Sequence, residues 1–250
     1  MQQPCVRLAI ITLGLPIVCL GVTAANAAEI KVFTARAIAT VLDKIGPDFE
    51  RQTGHKLNVI AGFGPVFTRQ IDAGEPFDIF VSTPTTLERL FKEGKLIADS
   101  RTILARSGTG VEVRAGAPKP DVSTVEAFKQ ALLNAKSIGY LRVGGVPQLM
   151  DRLGITDAIK SKVTIPDTDA VSELVANGEL ELGVVVITQI LTTPGVEMVG
   201  PLPSEIQFYT TFVAGISANS KVGDAAQDLI KYLTGAAAIP VIKSQGMEAG

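Results

Sequence analysis

The sequence predicts an α/β fold: two lobes, each a mostly parallel sheet flanked by helices, joined by two crossing strands. Three observations carry this prediction. The stretch 30–84 repeats a β-loop-α pattern three times, which implies a parallel sheet with its loops gathered on one edge. Leu182–Ile187 is an unbroken apolar run, the pattern of a strand covered on both faces. Two extended stretches, 101–113 and Gln207–Ile216, stand outside the βα rhythm and read as crossings from one lobe to the other.

The elements follow in chain order. Residues 1–27 read as a targeting segment: Arg7 supplies the positive start, Leu8–Val22 the apolar core, and Ala25-Asn26-Ala27 the small residues at a cleavage point. The apolar stretch is interrupted by Pro16 and is short for a membrane span, which needs about 20 apolar residues. Export with cleavage after Ala27 is expected, and with it a periplasmic location. Both cysteines of the chain, Cys5 and Cys19, lie in this segment, so the processed protein is expected to carry no thiol or disulfide.

The first strand, Ile30–Phe33, is followed by the loop Thr34-Ala35-Arg36 and a helix with Ile38, Val41, Leu42, Ile45 and Phe49 at spacings of three and four. Gly54 stops it. A second strand, Leu57–Ala61, runs into Gly62-Phe63-Gly64-Pro65 and a short helix; a third, Phe77–Ser82, precedes a helix carrying Leu87, Leu90 and Phe91, with Thr85 or Thr86 as its cap. Beyond the first crossing, Ser123 and Glu126 have the spacing of a capping box for a helix carrying Phe128, Leu132 and Leu133. Lys136–Leu141 reads as a strand whose exit loop is 142–147. Thr168 or Asp169 is placed to cap a helix carrying Val171, Leu174 and Val175, ahead of the buried run Leu182–Ile187. A strand near Val196–Leu202, the second crossing, and helices over Asp224–Leu233 and Ala237–Lys243 complete the chain. The lobes are expected to be 28–106 with 213–250, and 107–212, with a ligand cleft between them.

Composition excludes several classes of function. With 46% apolar and 19% charged residues over 250 positions, the chain has a core to bury. Its net charge is −2 and it has no tryptophan and no basic patch, so nucleic acid is not an expected partner. Loss of Arg7 with the leader would leave 25 acids against 22 bases, and an anion would then be attracted locally rather than by the overall field. The single histidine, His55, sits in a helix-to-strand turn, which removes Ser-His-Asp, Cys-His and His-rich metal arrangements from consideration. No cofactor or metal is expected.

What remains are the strand-exit loops, where backbone N–H groups, hydroxyls and helix ends bind anions. Thr34 supplies a hydroxyl, and Arg36 a guanidinium suited to a two-pronged bond with a carboxylate or oxyanion. Gly62, Phe63 and Gly64 offer open backbone and an aromatic ring. Ser82 ends the third strand. In the second lobe Gly144 and Gly145 allow close backbone approach, and Thr168 stands before a helix.

The motifs Gln52-Thr53-Gly54 and Gln70-Ile71-Asp72-Ala73-Gly74-Glu75-Pro76-Phe77-Asp78, with Leu182-Gly183-Val184-Val185, resemble those of the molybdate-binding proteins of ABC transporters. The resemblance covers nearly all of the chain after the leader. It implies the two-lobe type 2 periplasmic binding fold, a small anionic ligand in the cleft, ABC permease subunits as partners, and a monomer that is not membrane-embedded. Matched residue by residue, the family's first-loop serine falls at Ala37, or at Thr34 if the gap is moved, beside Ala35. Its second-loop serines fall on Gly64–Val66, its small residue at Gly144 or Gly145, its valine near Thr168, and its tyrosine at Val186. Most side-chain donors of a molybdate site are therefore missing, and Arg36 is an addition. The implied function is capture of an organic carboxylate or a molybdate-like oxyanion for an ABC importer. The alternative is a dehydratase-like enzyme on the same fold, for which Asp169 and Glu173 are the only acid–base candidates in the cleft.

Overall fold

The computed structural model describes residues 27–142 and 145–250; the expected leader, up to residue 26, and Gly144 lie outside them. The three predicted βα units are β1 (Glu29–Thr34), α1 (Arg36–Thr53), β2 (Lys56–Ala61), α2 (Gly64–Asp72), β3 (Ile79–Ser82) and α3 (Pro84–Lys92). The first crossing is one long strand, β4 (Thr102–Arg114). The middle of the chain forms α4 (Val125–Asn134), β5 (Ile138–Tyr140), α5 (Val146–Arg152), α6 (Thr156–Ile159), β6 (Val163–Thr164), α7 (Val171–Ala176), β7 (Leu182–Val186), α8 (Ile187–Thr192) and β8 (Val196–Pro201). The return crossing is β9 (Tyr209–Ile216), followed by α9 (Gly223–Thr234), α10 (Ala238–Ser244) and β10 (Glu248–Ala249).

The strands form one curled mixed sheet in the order β2-β1-β3-β9-β4-β7-β5-β6, with β8 and β10 also on β4. β1 lies parallel between β2 and β3, and β5 parallel between β6 and β7. The two crossing strands pair antiparallel with each other, from Thr102 against Ala214 to Gly108 against Tyr209. β4 then continues past Gly108 to pair with β7 and β8.

Burial divides along β4. Its Leu104 and Ala105 pack with Ile30, Val32, Phe49, Ile79, Leu229 and Ile230 under α1, α9 and α10. Its Val111 and Val113 pack with Phe128, Leu132, Leu149, Met150 and Val184 under α4 and α5. Each half of the sheet has a further core on its other face. One is a phenylalanine cluster in which Phe33 stacks on Phe67 with ring centroids 4.6 Å apart. The other holds Val171, Val175, Val185 and Ile190. Full burial of one such side chain contributes roughly 1.5–3 kcal/mol, so each half is covered on both faces as a doubly wound sheet requires.

Several local expectations are corrected. Thr83, not Thr85 or Thr86, is the N-cap of α3, and Pro84 takes the first helical position, where its missing N–H costs nothing. Thr124 rather than Ser123 caps α4, accepting from Ala127 N at 3.1 Å, while Ser123 N donates to Asp121 at 2.9 Å. α7 has Ala170 as its N-cap with no side-chain bond, so neither Thr168 nor Asp169 caps it. The apolar run is extended over Leu182–Val186, and only its last residue, Ile187, begins the unexpected α8.

Candidate functional site

A cavity of about 110 Å³ lies where the two halves of the molecule face each other. From one side come the first turns of α1, α2 and α3, with Ala35, Arg36, Ala37, Gly62, Phe63, Gly64, Ser82, Thr83 and Thr86 on the wall. From the other come the starts of α5 and α8, with Leu141, Gly145, Val146, Asp169, Val184, Val185, Val186 and Gln189. The crossing strands close the back with Thr109, Thr210 and Phe212, and Phe208 stands just before β9. First-turn N–H groups have no partner within their own helix, and five helices present such ends here.

The wall carries two charged side chains, Arg36 and Asp169, and they face each other across the cleft. Arg36 Nε lies 3.0 Å from Asp169 Oδ2, and Arg36 Nη1 bonds Glu173 Oε1 on α7. The pairs are only partly dry: the side chains of Arg36, Asp169 and Glu173 keep 50%, 15% and 36% of their exposure, so solvent screening limits their strength. Glu173 Oε2 is buried without a hydrogen-bond partner among the described residues. Gln189 on α8 holds the loop in place by donating Nε2 to the Asp169 carbonyl at 2.9 Å. Burial pushes the Asp169 carboxyl above its usual range; the Arg36 charge opposes this and the Glu173 charge adds to it.

The floor of the cleft is fixed by Gln207. Its Oε1 accepts from Thr109 N at 2.9 Å and its Nε2 donates to Thr109 O at 3.0 Å, so one amide side chain stands in for a strand partner at the crossing. Thr83 and Thr86 hydroxyls lie 3.0 Å apart at the start of α3. The phenyl ring of Phe208 lies against Gly145, where a Cβ would come within 2.7 Å of it. Any larger residue there would have to displace the ring.

Behind the cavity lies a carboxylate that the sequence pattern concealed. Glu112 on β4 is fully buried, and Ser172 Oγ lies 2.8 and 3.0 Å from its two oxygens. Burial raises its pKa to about 7; the Ser172 hydroxyl opposes the shift and the Glu173 charge reinforces it. The Glu112 side chain folds over Gly183, its register partner on β7, where any Cβ would collide with it.

Most of the residues expected at the site meet on this wall: Ala35, Arg36, Ala37, Gly62, Phe63, Gly64, Ser82, Gly145 and Val186. Two are not on the wall. Thr34 is fully buried and its hydroxyl donates to the Ala35 carbonyl at 3.3 Å. Strand alternation puts it on the same face as Val32, under α1, and not toward the cleft. Thr168 is exposed on the loop, while its neighbour Asp169 turns inward to Arg36. Gly144 falls outside the described residues. The expected strand-exit loops gave no sign of Thr109 and Thr210, which come from the crossing strands themselves; a threonine inside each crossing was the available signal. Among the described residues no group of three or more His, Cys, Asp or Glu is placed to hold a metal, and no helix is long and apolar enough to cross a membrane.

Two α/β halves joined by paired crossing strands, with helix N-termini converging on a cleft between them, define a binding protein of the periplasmic type. The chain belongs to the family described as bacterial extracellular solute-binding protein, whose sequence profile matches residues 30–248. It is 34% identical over 239 residues to the molybdate-binding protein ModA of Azotobacter vinelandii, covering 89% of this chain and 91% of that one. It is 30% identical over 226 residues to the aconitate isomerase of a Pseudomonas species, covering 87% and 86%. In structure it is similar to the Azotobacter vinelandii periplasmic molybdate-binding protein, with a TM-score of 0.73 at 22% identity over 87% of this chain and 98% of that one.

Proposed function

We propose that this solute-binding protein captures a small organic carboxylate in the cavity between its lobes and delivers it to an ABC permease. The observation that carries the reading is the convergence of five helix N-termini and Arg36 on a space whose remaining wall is largely apolar. Helix ends and a guanidinium favour negative charge. The side chains of Phe63, Leu141, Val146, Val184 and Phe208 offer contact to a carbon skeleton and no hydrogen-bond donor. At about 110 Å³ the cavity is small, which suits a small acid.

In this reading the lobes are 28–106 with 213–250, and 107–212, and they close by bending at the paired crossings β4 and β9. The protein works as a monomer in the periplasm after losing its leader. A thermal-shift screen of short carboxylates against molybdate, tungstate and sulfate tests the reading, since a ligand bound only by the folded state raises the melting temperature. A shift with carboxylates supports it; a shift with metal oxyanions alone overturns it.

One observation favours a second reading, that the cleft turns an acid over. Proton-transfer isomerisation needs a group that both takes and returns a proton. Asp169 stands on the cavity wall with its pKa raised, and a relative of similar length is an aconitate isomerase. Turnover of an unsaturated carboxylic acid by wild type, abolished in Asp169→Asn, would establish this reading; binding without turnover would exclude it.

A further inference from the structure

Beside the inner cavity lies a second, larger chamber of about 530 Å³ at the mouth of the cleft. The two share Thr83, Gly145, Phe208 and Thr210, so the Phe208 ring seated on Gly145 is the partition between them. The outer chamber is also built from both lobes: Thr85 at the start of α3 on one side, Arg142, Gln148 and Arg152 on the other, with Thr211 of β9 at the back. Its wall contains two arginines and no aspartate or glutamate. Among the described residues neither arginine forms an ion pair, although most other arginines of the chain do. Asp151, next to Arg152 in sequence, is not on the chamber wall and accepts from the Thr156 hydroxyl at 2.6 Å. Two guanidinium groups without carboxylate partners, hydroxyls and a side-chain amide around a space continuous with an anion site form a receptor for a second negative group.

We propose that the outer chamber is a second anion subsite, so that the ligand is a dicarboxylate or tricarboxylate: one carboxylate sits among the inner helix ends and another between Arg142 and Arg152. The proposal rests on the carboxylate reading of the inner cavity. It places the polarity of the ligand as well: its carbon skeleton passes the aromatic edge of Phe208, and its second carboxylate stays at the solvent side. Because the outer arginines are exposed, each contact is expected to be worth up to about fivefold in affinity, and the attraction weakens with salt.

Calorimetry on the full chain with propionate, succinate, glutarate, tricarballylate and molybdate tests this, with wild type and the double variant Arg142→Gln/Arg152→Gln. Wild type should bind the best polycarboxylate at least tenfold more tightly than propionate. The double variant should lose about tenfold for that polycarboxylate and less than twofold for propionate, and raised salt should narrow the wild-type preference. Equal affinity for propionate and the polycarboxylates, or a preference that survives in the double variant, overturns the subsite while leaving the inner site intact. Binding of molybdate alone, or of no probe, overturns the inner reading and the subsite with it. An unchanged melting temperature in the double variant confirms that any loss is one of binding and not of folding.

Discussion

Arg36 gives the sharpest test of the cleft, because its guanidinium has partners before any ligand arrives. A hydrogen bond to a charged group typically contributes about 1.5–3 kcal/mol. A ligand carboxylate that takes Arg36 must, however, displace Asp169 at 3.0 Å and compete with Glu173. These pairs are partly exposed, each worth about 0.2–1 kcal/mol. The difference leaves Arg36 with about 1–2 kcal/mol of net ligand affinity, so Arg36→Ala should weaken binding about five- to thirtyfold. Arg36→Lys should recover only part, since an ammonium keeps the charge and loses the fork. Asp169→Asn removes a competitor for the guanidinium and a negative charge from the wall, and should tighten binding about two- to fivefold. Calorimetry with the best carboxylate from the screen measures all three. If Asp169→Asn weakens binding and Arg36→Ala leaves it unchanged, the reasoning fails: the pair would then be a clasp between lobes that the ligand never meets.

Other consequences can be checked independently. Glu112 has a folded-state pKa of about 7 against 4.5 for a free glutamate, so its contribution to stability is fully present below pH 4.5 and is lost as pH rises toward 7. That interval corresponds to about 3 kcal/mol, and Glu112→Gln should raise urea stability at pH 8 by about 1–3 kcal/mol while flattening the pH dependence between 4.5 and 7; an unchanged or lowered stability would refute the assignment. Gly145→Ala places a methyl 2.7 Å from the Phe208 ring, and should cost about 1–3 kcal/mol by overpacking while altering ligand affinity, read by thermal melts and calorimetry together. Export should yield a protein beginning at Ala28, whose intact mass excludes residues 1–27 and whose unfolding is the same with and without reductant.

The fold was legible where local chemistry is unambiguous. Gly54 ends its helix where the pattern placed it, and the run from Leu182 is the covered strand it promised, between β4 and β5. Errors arose where two neighbours could play one part. Ser123 and Thr124 are both good caps, and only the packing of α4 decides that Thr124 does the work. α8 was missed because β7 flows into it through Val186, with no glycine, proline or capping side chain to mark the change. Glu112 was concealed by alternation: Val-Glu-Val-Arg reads as one buried and one wet face, but β4 is an interior strand with α7 over that other face. Gly183 opposite was the only trace, and it becomes a signal only once the register is known.

The site shows the same division between local and long-range information. Arg36 could be placed on a cleft loop from the sequence, because a strand followed by a helix fixes where that loop lies. Asp169 and Glu173 could be assigned to the cleft as well, but not their pairing with Arg36, since they lie more than a hundred residues away and reach it only through the return of the chain across β4. Their presence changes the electrostatics of the cavity. Arg36 with Asp169 and Glu173 sums to one net negative charge, which by itself would repel an anion. Each helix N-terminus supplies roughly half a positive charge, and five of them outweigh that excess by a margin of about one or two charges. Protonation of Asp169, favoured by its burial, widens the margin. If the cleft takes an anion as proposed, the attraction would come chiefly from its backbone. On the carboxylate reading, that is how an anion would be held without the side-chain donors of the molybdate pattern.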